Sequence, residues 1–259
     1  MSETAADRRG RRGGGRDARR QARATSAAIA SPYITRNLEP FDILSDETAE
    51  IIENNAETIL EEIGIDFRDD PEALTILRDV GCDLQGERVR FPRGLARKLC
   101  STAPSQYTQH ARNPARTVEI GGKNTVFAPV YGPPFVRDLN NERRYATMED
   151  FRNFVKVVYM LPALHHSGGT ICEPVDLPVT KRHLEMVYAH QRWSDKPYMG
   201  SVTAPSRAQD TVDMSKILFG EEFVAGNTVI SSLINANSPM TWDDTMLGAC
   251  LLYTSPSPR

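Results

Sequence analysis

The chain has 259 residues, is 40% hydrophobic and 25% charged, and carries a net charge of -3, enough length for one large core or two modest ones. No apolar run approaches the ~18 residues that span a bilayer, so an integral helical membrane protein is excluded. The four cysteines (Cys82, Cys100, Cys172, Cys250) form no CxxC pair, which argues against a zinc knuckle and a secreted disulfide framework and makes a reducing cytoplasm the default.

Residues 1–30 read as a disordered Arg/Gly-rich arm. Residues 1–24 hold eight arginines against Glu3, Asp7 and Asp17, so the remainder carries -8 and a nucleic-acid role for it lacks electrostatic support. Residues 31–127 read as a small α+β cap. Ser45 or Asp46 caps a helix ending at Gly64, with Ile52, Ala56, Ile59, Leu60 and Ile63 as one stripe. Pro71 opens a second helix that presents Leu74, Leu77 and Val80 and ends at Gly81. Cys82–Phe91 suggests a hairpin about Gln85-Gly86, Pro92 a third helix to Cys100, and Val118–Phe127 a second hairpin. No catalytic constellation is evident in this half.

The stretch Ala128–Phe151 reads as the entry to the functional domain. An apolar run meets the corner Tyr131-Gly132-Pro133-Pro134, Leu139–Glu142 is turn-like, and Thr147 with Asp150 is an N-cap signature for a helix to Met160. Beyond it strands and helices alternate: a strand through Ala163–Gly169, a helix from Pro178 to Ser194 (Leu184, Val187 and Tyr188 inward), and a strand Tyr198–Val202. A helix Ser206–Phe219 (Val212, Ile217 and Leu218 inward), a strand Thr228–Ile234 and a last helix from Thr241 or Trp242 follow. Strand starts 34 and 30 residues apart imply βαβ units and a parallel sheet. With no GxGxxG or GxxxxGK[ST] after any strand, a (β/α) barrel is favoured over an open nucleotide-binding sheet.

In parallel α/β folds, functional groups gather at the carboxyl ends of strands. Those ends here are Tyr131–Pro134, His165–Gly169, Met199–Ser201 and Asn235–Ser238, a glycine- and amide-rich rim suited to a large, flat, neutral ligand. His166, Gly168, Gly169, Asn235, Asn237 and Ser238 are the candidates to face such a ligand. Tyr131 and Tyr198 could hold a quaternary ammonium by cation–π attraction, and Glu173 could hold a cation by charge. A metal site is not expected, because His165 and His166 point to opposite faces of a strand and no HxH or HExxH accompanies them. His183 and His190 read as surface or helix–helix residues. No hydrolase constellation is present.

Residues 132–151 (GPPFVRDLNNERRYATMEDF), with Glu173–Pro178, Asp195-Lys196-Pro197 and Asn235–Pro239, resemble the trimethylamine methyltransferase family over roughly Ile34 to Cys250. The resemblance implies a TIM-type barrel behind an N-terminal cap. It also implies methyl transfer from an amine, trimethylamine or a betaine, to the cobalt of a corrinoid (cobalamin) carried by a small partner protein rather than bound permanently. It further implies a cytoplasmic protein that forms homo-oligomers at full length and meets neither nucleic acid nor membrane.

A complete barrel needs ~250 residues, so residues 128–250 are expected to supply its N-terminal half, an incomplete TIM-type barrel whose open edge favours association and inactivity of this stretch on its own. Leu251–Arg259 abandons the helical pattern and reads as a non-native tail. The alternatives are a non-catalytic quaternary-amine-binding homologue and, less favoured for want of the glycine fingerprint, an α/β oxidoreductase.

Overall fold

In the computed structural model the described residues are 31–39, 41–237 and 239–254. The Arg-rich arm, Ser238 and the end of the expected tail lie outside them. The described residues form a mixed α/β arrangement with no closed barrel.

The cap begins with β1 (Ile34–Thr35), which joins β5 (Gln106–Gln109), β6 (Val118–Gly121) and β7 (Asn124–Thr125) in an antiparallel sheet ordered β1-β7-β6-β5. Helix α1 (Asp46–Thr58) starts where the Ser45 hydroxyl accepts from Thr48 N, and it widens into a π-turn over Ile59–Ile63. Its predicted apolar stripe is real in sequence but not packed inward: Ile52, Ile59 and Ile63 are exposed and only Leu60 reaches a core.

Strand β2 (Ile65–Arg68), helix α2 (Pro71–Asp79), the hairpin β3 (Asp83–Gln85)/β4 (Arg88–Arg90) and helix α3 (Leu95–Cys100) complete the cap. The Asp70 carboxylate caps α2 by accepting from Ala73 N at 2.9 Å. Helix α3 begins later than Pro92 because Leu95 N bonds Pro92 O, closing a turn first. Phe67, Ala73, Cys82, Val89 and Phe91 form this core. Burial of the larger of these, Phe67, Val89 and Phe91, stabilises the fold by about 1.5–3 kcal/mol each.

The second half opens with the hairpin β8 (Phe135–Arg137)/β9 (Arg143–Tyr145), turned through Asn141 while Asp138 Oδ1 accepts from Asn140 N and Glu142 N. Helix α4 (Met148–Met160) has the full capping box. Thr147 Oγ1 accepts from Asp150 N, and Asp150 accepts in return from Thr147 N at 2.9 Å. Arg144 grips the Asp150 carboxylate with both terminal nitrogens, and with the Thr147 bonds this holds Asp150 far below the usual carboxylate range against the opposing effect of burial. Asp176, in the loop that follows residues 163–169, accepts from Met148 N at 2.8 Å and so helps cap the same helix. Helix α4 buries Met148, Phe151, Val155 and Val158 against Ala189 of α5 (Val179–Trp193).

Next come β10 (Tyr198–Met199), α6 (Pro205–Phe219), α7 (Glu221–Gly226), β11 (Ile230–Ser231), β12 (Thr241–Asp243) and α8 (Asp244–Thr254). Strands β10 and β11 pair in parallel around the crossover through α6. The expected strand 163–169 is irregular. His165 N and His166 N both reach Phe127 O, and Gly168 sits at φ +89°, which interrupts an extended ladder. Its bonds nevertheless place it between neighbours: Ser167 N donates to Pro197 O, and Met199 N to Gly168 O. Residue numbers rise together across that junction, the parallel sense. The segments around 127, 166, 198 and 230 thus lie side by side in chain order.

Other sequence expectations need correction. The strands 198–202 and 228–234 shrink to two residues each. Thr241-Trp242 starts a strand, not a helix: β12 pairs in parallel with β2, so the cap sheet (β12-β2-β4-β3) is finished by a strand from the second half. The backbone of Leu251–Thr254 continues α8 rather than leaving the helix. Tyr188 and Ile217 face solvent, whereas the inward face of α6 is the small set Ala208, Thr211 and Ser215.

Lys196 lies between α5 and β10, 3% exposed, and donates to Val158 O (2.7 Å), Leu161 O (3.0 Å) and Leu164 O (2.7 Å) at the end of α4. Three ammonium donors thus meet three carbonyls. Lys196→Met removes all three donors and is expected to lower unfolding stability by about 2–3 kcal/mol or more, read by denaturant titration. A change within about 0.5 kcal/mol would show that those carbonyls find other partners.

Candidate functional site

The Tyr131–Pro134 corner runs beside residues 169–173, tied by Gly132 N to Thr170 O at 2.6 Å and Glu173 N to Pro133 O at 3.0 Å. These bonds bring Tyr131 onto Gly169. A Cβ at Gly169 would stand 2.7 Å from Tyr131 Cε2 and 2.9 Å from Met199 Cβ, so any larger residue would push the ring or β10 away. Gly168 combines its positive φ with a Cβ position 2.5 Å from Pro129 Cγ. Tyr131, 40% exposed, therefore forms a half-open aromatic edge over bare backbone.

Beneath this rim is a buried polar network. His166 Nδ1 accepts from Gly168 N at 2.9 Å, which places the ring proton on Nε2 and makes it the donor to Gln109 Oε1 at 3.2 Å. Gln109 Nε2 donates on to Tyr198 O at 3.0 Å. His190 Nε2 reaches Gly169 O at 2.7 Å, and since a carbonyl only accepts, that nitrogen carries the proton. Its Nδ1 then accepts from the Ser167 hydroxyl at 2.7 Å. Burial holds His166 down at about 3, with His190 adding to the effect, and holds His190 at about 4 against the opposing pull of the Gly169 carbonyl. Both rings are neutral at physiological pH. His165 accepts from Phe127 N at 3.0 Å and is also shifted downward, by burial and then by Lys196.

The predicted residues divide accordingly. Tyr131, His166, Gly168 and Gly169 come together, although both His166 nitrogens are already used internally. Tyr198 adjoins them, but its ring is buried and stacked on His190 at 6.3 Å, and its hydroxyl bonds Ser215 Oγ (2.7 Å) and Gln191 Nε2 (2.9 Å). Glu173 sits at the edge of the corner in an ion pair with Arg182, which also donates to Leu177 O. Asn235 is exposed. Asn237 is exposed and engaged by Thr241 and, at 2.7 Å, by Asp243 Oδ2.

Two participants escaped the sequence reading, Gln109 and His190, while Ser167 fell within the His165–Gly169 strand end without being singled out. His183 and His190 are both buried, not surface residues, and the helix–helix alternative holds for each: His183 donates to Asp210 Oδ2 of α6 at 2.7 Å, and His190 meets the Phe151 ring of α4 edge-on at 5.3 Å. The signal was present, since 183, 187 and 190 follow the i, i+4, i+7 spacing of one helix face. An apolar criterion passes over histidine. Gln109 gave no comparable signal, because it ends a strand too short to show alternation.

The profile of the trimethylamine methyltransferase (MTTB) family matches residues 11–256. Among curated proteins the chain is similar to a glycine betaine methyltransferase of Desulfitobacterium hafniense (strain Y51), 42% identical over 217 residues, which are 83% of this chain and 45% of that protein. It is also similar to a proline betaine:corrinoid methyltransferase of Eubacterium limosum, 26% identical over 183 residues, 67% of this chain and 37% of that protein. The chain thus spans under half the length of the curated relatives it matches.

The neutral histidines make acid the network's weakness. Their folded affinities for protons, about 3 for His166 and about 4 for His190, lie below the ordinary value of 6.5. An unfolded chain therefore takes up these protons first as pH falls. Stability is full above pH ~6.5 and is lost below it at up to about 1.4 kcal/mol per pH unit for each ring, until the folded values are passed. Denaturant midpoints from pH ~8 down to ~5 should be flat and then decline. A midpoint rising on acidification would contradict the neutral network.

Proposed function

Because the chain belongs to the trimethylamine methyltransferase family, we propose that it serves methyl transfer from a quaternary amine, a betaine in preference to trimethylamine, to the cobalt of a corrinoid carried by a small partner protein. The observation that carries this reading is the neutral, hydrogen-bond-saturated floor beneath a half-open aromatic rim. Removing a methyl group from a quaternary ammonium breaks one C–N bond. The electron pair stays on nitrogen, the product is a neutral tertiary amine, and no proton moves. Such a reaction asks for orientation rather than general acid–base groups. The corrinoid supplies the nucleophilic metal, and the chain's residues hold the amine.

In this reading Tyr131 faces the ammonium through its ring, and the Gly168–Gly169 backbone lets the substrate approach closely. Glu173 with Arg182 stands at the edge of the corner as a pair of opposite charges that suits a zwitterion. Tyr198 supports the floor from below through its carbonyl. Asn235 and Asn237, both exposed, are read as neutral amides for the corrin, and Ser238, outside the described residues, keeps only its sequence-based candidacy. The segments around 127, 166, 198 and 230 are read as the first four strands of a (β/α) barrel with the cap against it. The working protein is read as cytoplasmic and homo-oligomeric. The 42% identity to a protein named for glycine betaine supports the substrate class.

Calorimetry on the chain is expected to show glycine betaine bound more tightly than trimethylamine. Tyr131→Ala should weaken betaine about 5- to 30-fold, the range of one cation–π contact, and Tyr131→Phe should not. Equal affinities for the two amines would overturn the substrate assignment. Adding a corrinoid carrier in its Co(I) state to a chain extended to the length of the glycine betaine relative separates an enzyme from a binding homologue. Betaine-dependent methylation of cobalt marks the first, and binding with an unchanged cobalt spectrum marks the second.

A further inference from the structure

Gln109 belongs to the cap yet touches three segments of the second half. It ends β5 and is fully buried. Its Nε2 donates to Tyr198 O at 3.0 Å and, at 3.5 Å, to Val229 O, while Oε1 accepts from His166. The next residue, His110, donates its backbone N–H to Thr228 O at 2.8 Å. The amide is used at both ends with a fixed polarity. Glutamate would lack the donor, and leucine would lack both functions.

We propose that Gln109 is a positioning residue for the amine-binding face: by keeping the His166 proton on Nε2 it leaves Nδ1 to accept from Gly168 N, and so sets the Gly168–Gly169 turn against which Tyr131 rests. This rests on the betaine reading above. His190, from α5, is the titratable group acting on His166, and it is itself buried and neutral. Gln109 would act through His166 and the turn, without touching substrate.

The test uses the full chain with ¹⁵N-labelled histidine, read by NMR for the His166 tautomer, alongside calorimetry with glycine betaine. In the native chain His166 should carry its proton on Nε2 throughout roughly pH 5–8, with slow exchange at the Gly168 amide and an affinity for betaine that is flat with pH. In Gln109→Glu the carboxylate favours the charged imidazole, so His166 should titrate within that window. The new Nδ1 proton would then face the Gly168 N–H, and affinity should fall about tenfold on the acid side, the equivalent of one lost hydrogen bond.

Gln109→Leu should weaken betaine at every pH. A purely structural glutamine would lower the unfolding midpoint and leave the affinity of the folded variants at the native value, and that result overturns the proposal. So does a native His166 protonated on Nδ1, or a rapidly exchanging Gly168 amide, and these two readouts decide the matter even if neither variant folds. A native chain that binds no betaine would overturn the functional reading instead, while its tautomer still reports on the glutamine.

Discussion

The structure around the site depends on one constraint: buried backbone N–H and C=O groups must find partners, and the strands there are too short to supply them. Strands β10 and β11 share only two residue pairs, and the segment 163–169 forms no regular strand. Side chains complete the pairing. Gln109 serves Tyr198 O, His166 serves Gly168 N, His190 serves Gly169 O, His165 serves Phe127 N, and Lys196 serves three carbonyls at the end of α4. Each of these groups is polar and buried at net cost unless bonded, so their conformations are fixed by the same bonds that hold the backbone.

Neutrality follows from that arrangement. A protonated His166 would turn its Nδ1 acceptor into a second donor facing Gly168 N. A protonated His190 would lose the acceptor that receives the Ser167 hydroxyl. The burial that pushes both rings toward the neutral form therefore also preserves the direction of every bond in the network. Lys196 is the contrasting case. It too is pulled down, to about 8, by burial and then by Arg116, but its three carbonyl partners suit the ammonium form.

Local signals in the sequence survive in the structure wherever a short-range physical rule governs them. The capping box at Thr147 and Asp150, the Asp70 cap of α2, and the turns at Gln85-Gly86 and Leu139–Glu142 are all settled within a few residues. The family resemblance was likewise legible from residues 132–151 and the spaced later motifs. What failed was inference across distance. The apolar stripe of α1 gave helix but not partner. The strand at 163–169 was broken by a backbone conformation at Gly168 that periodicity cannot express. The pairing of β12 with β2 joins residues 241–243 to 66–68 and leaves no local trace. Of the site, Tyr131 and the two glycines could be read from strand-end position. Of the buried network only His166 could, because His190 was read as a surface or helix–helix residue and Gln109 gave no signal.

The division into cap and functional half is less sharp than the sequence implies. Arg112 donates to Gln191 O and Ser194 O at the end of α5, Asn113 Nδ2 bonds Asp195, and Arg116 pairs with Asp195 at 2.8 Å while lying over the Tyr159 ring. Gln109 and His110 reach β10 and the approach to β11 in the same eight-residue stretch. Contacts of this kind lose their partners if the two parts separate, and buried donors and acceptors left behind would each cost about 1–3 kcal/mol. The cap is accordingly a structural component of the site's floor rather than an appendage, and a change in one should be felt in the other through residues 109–116.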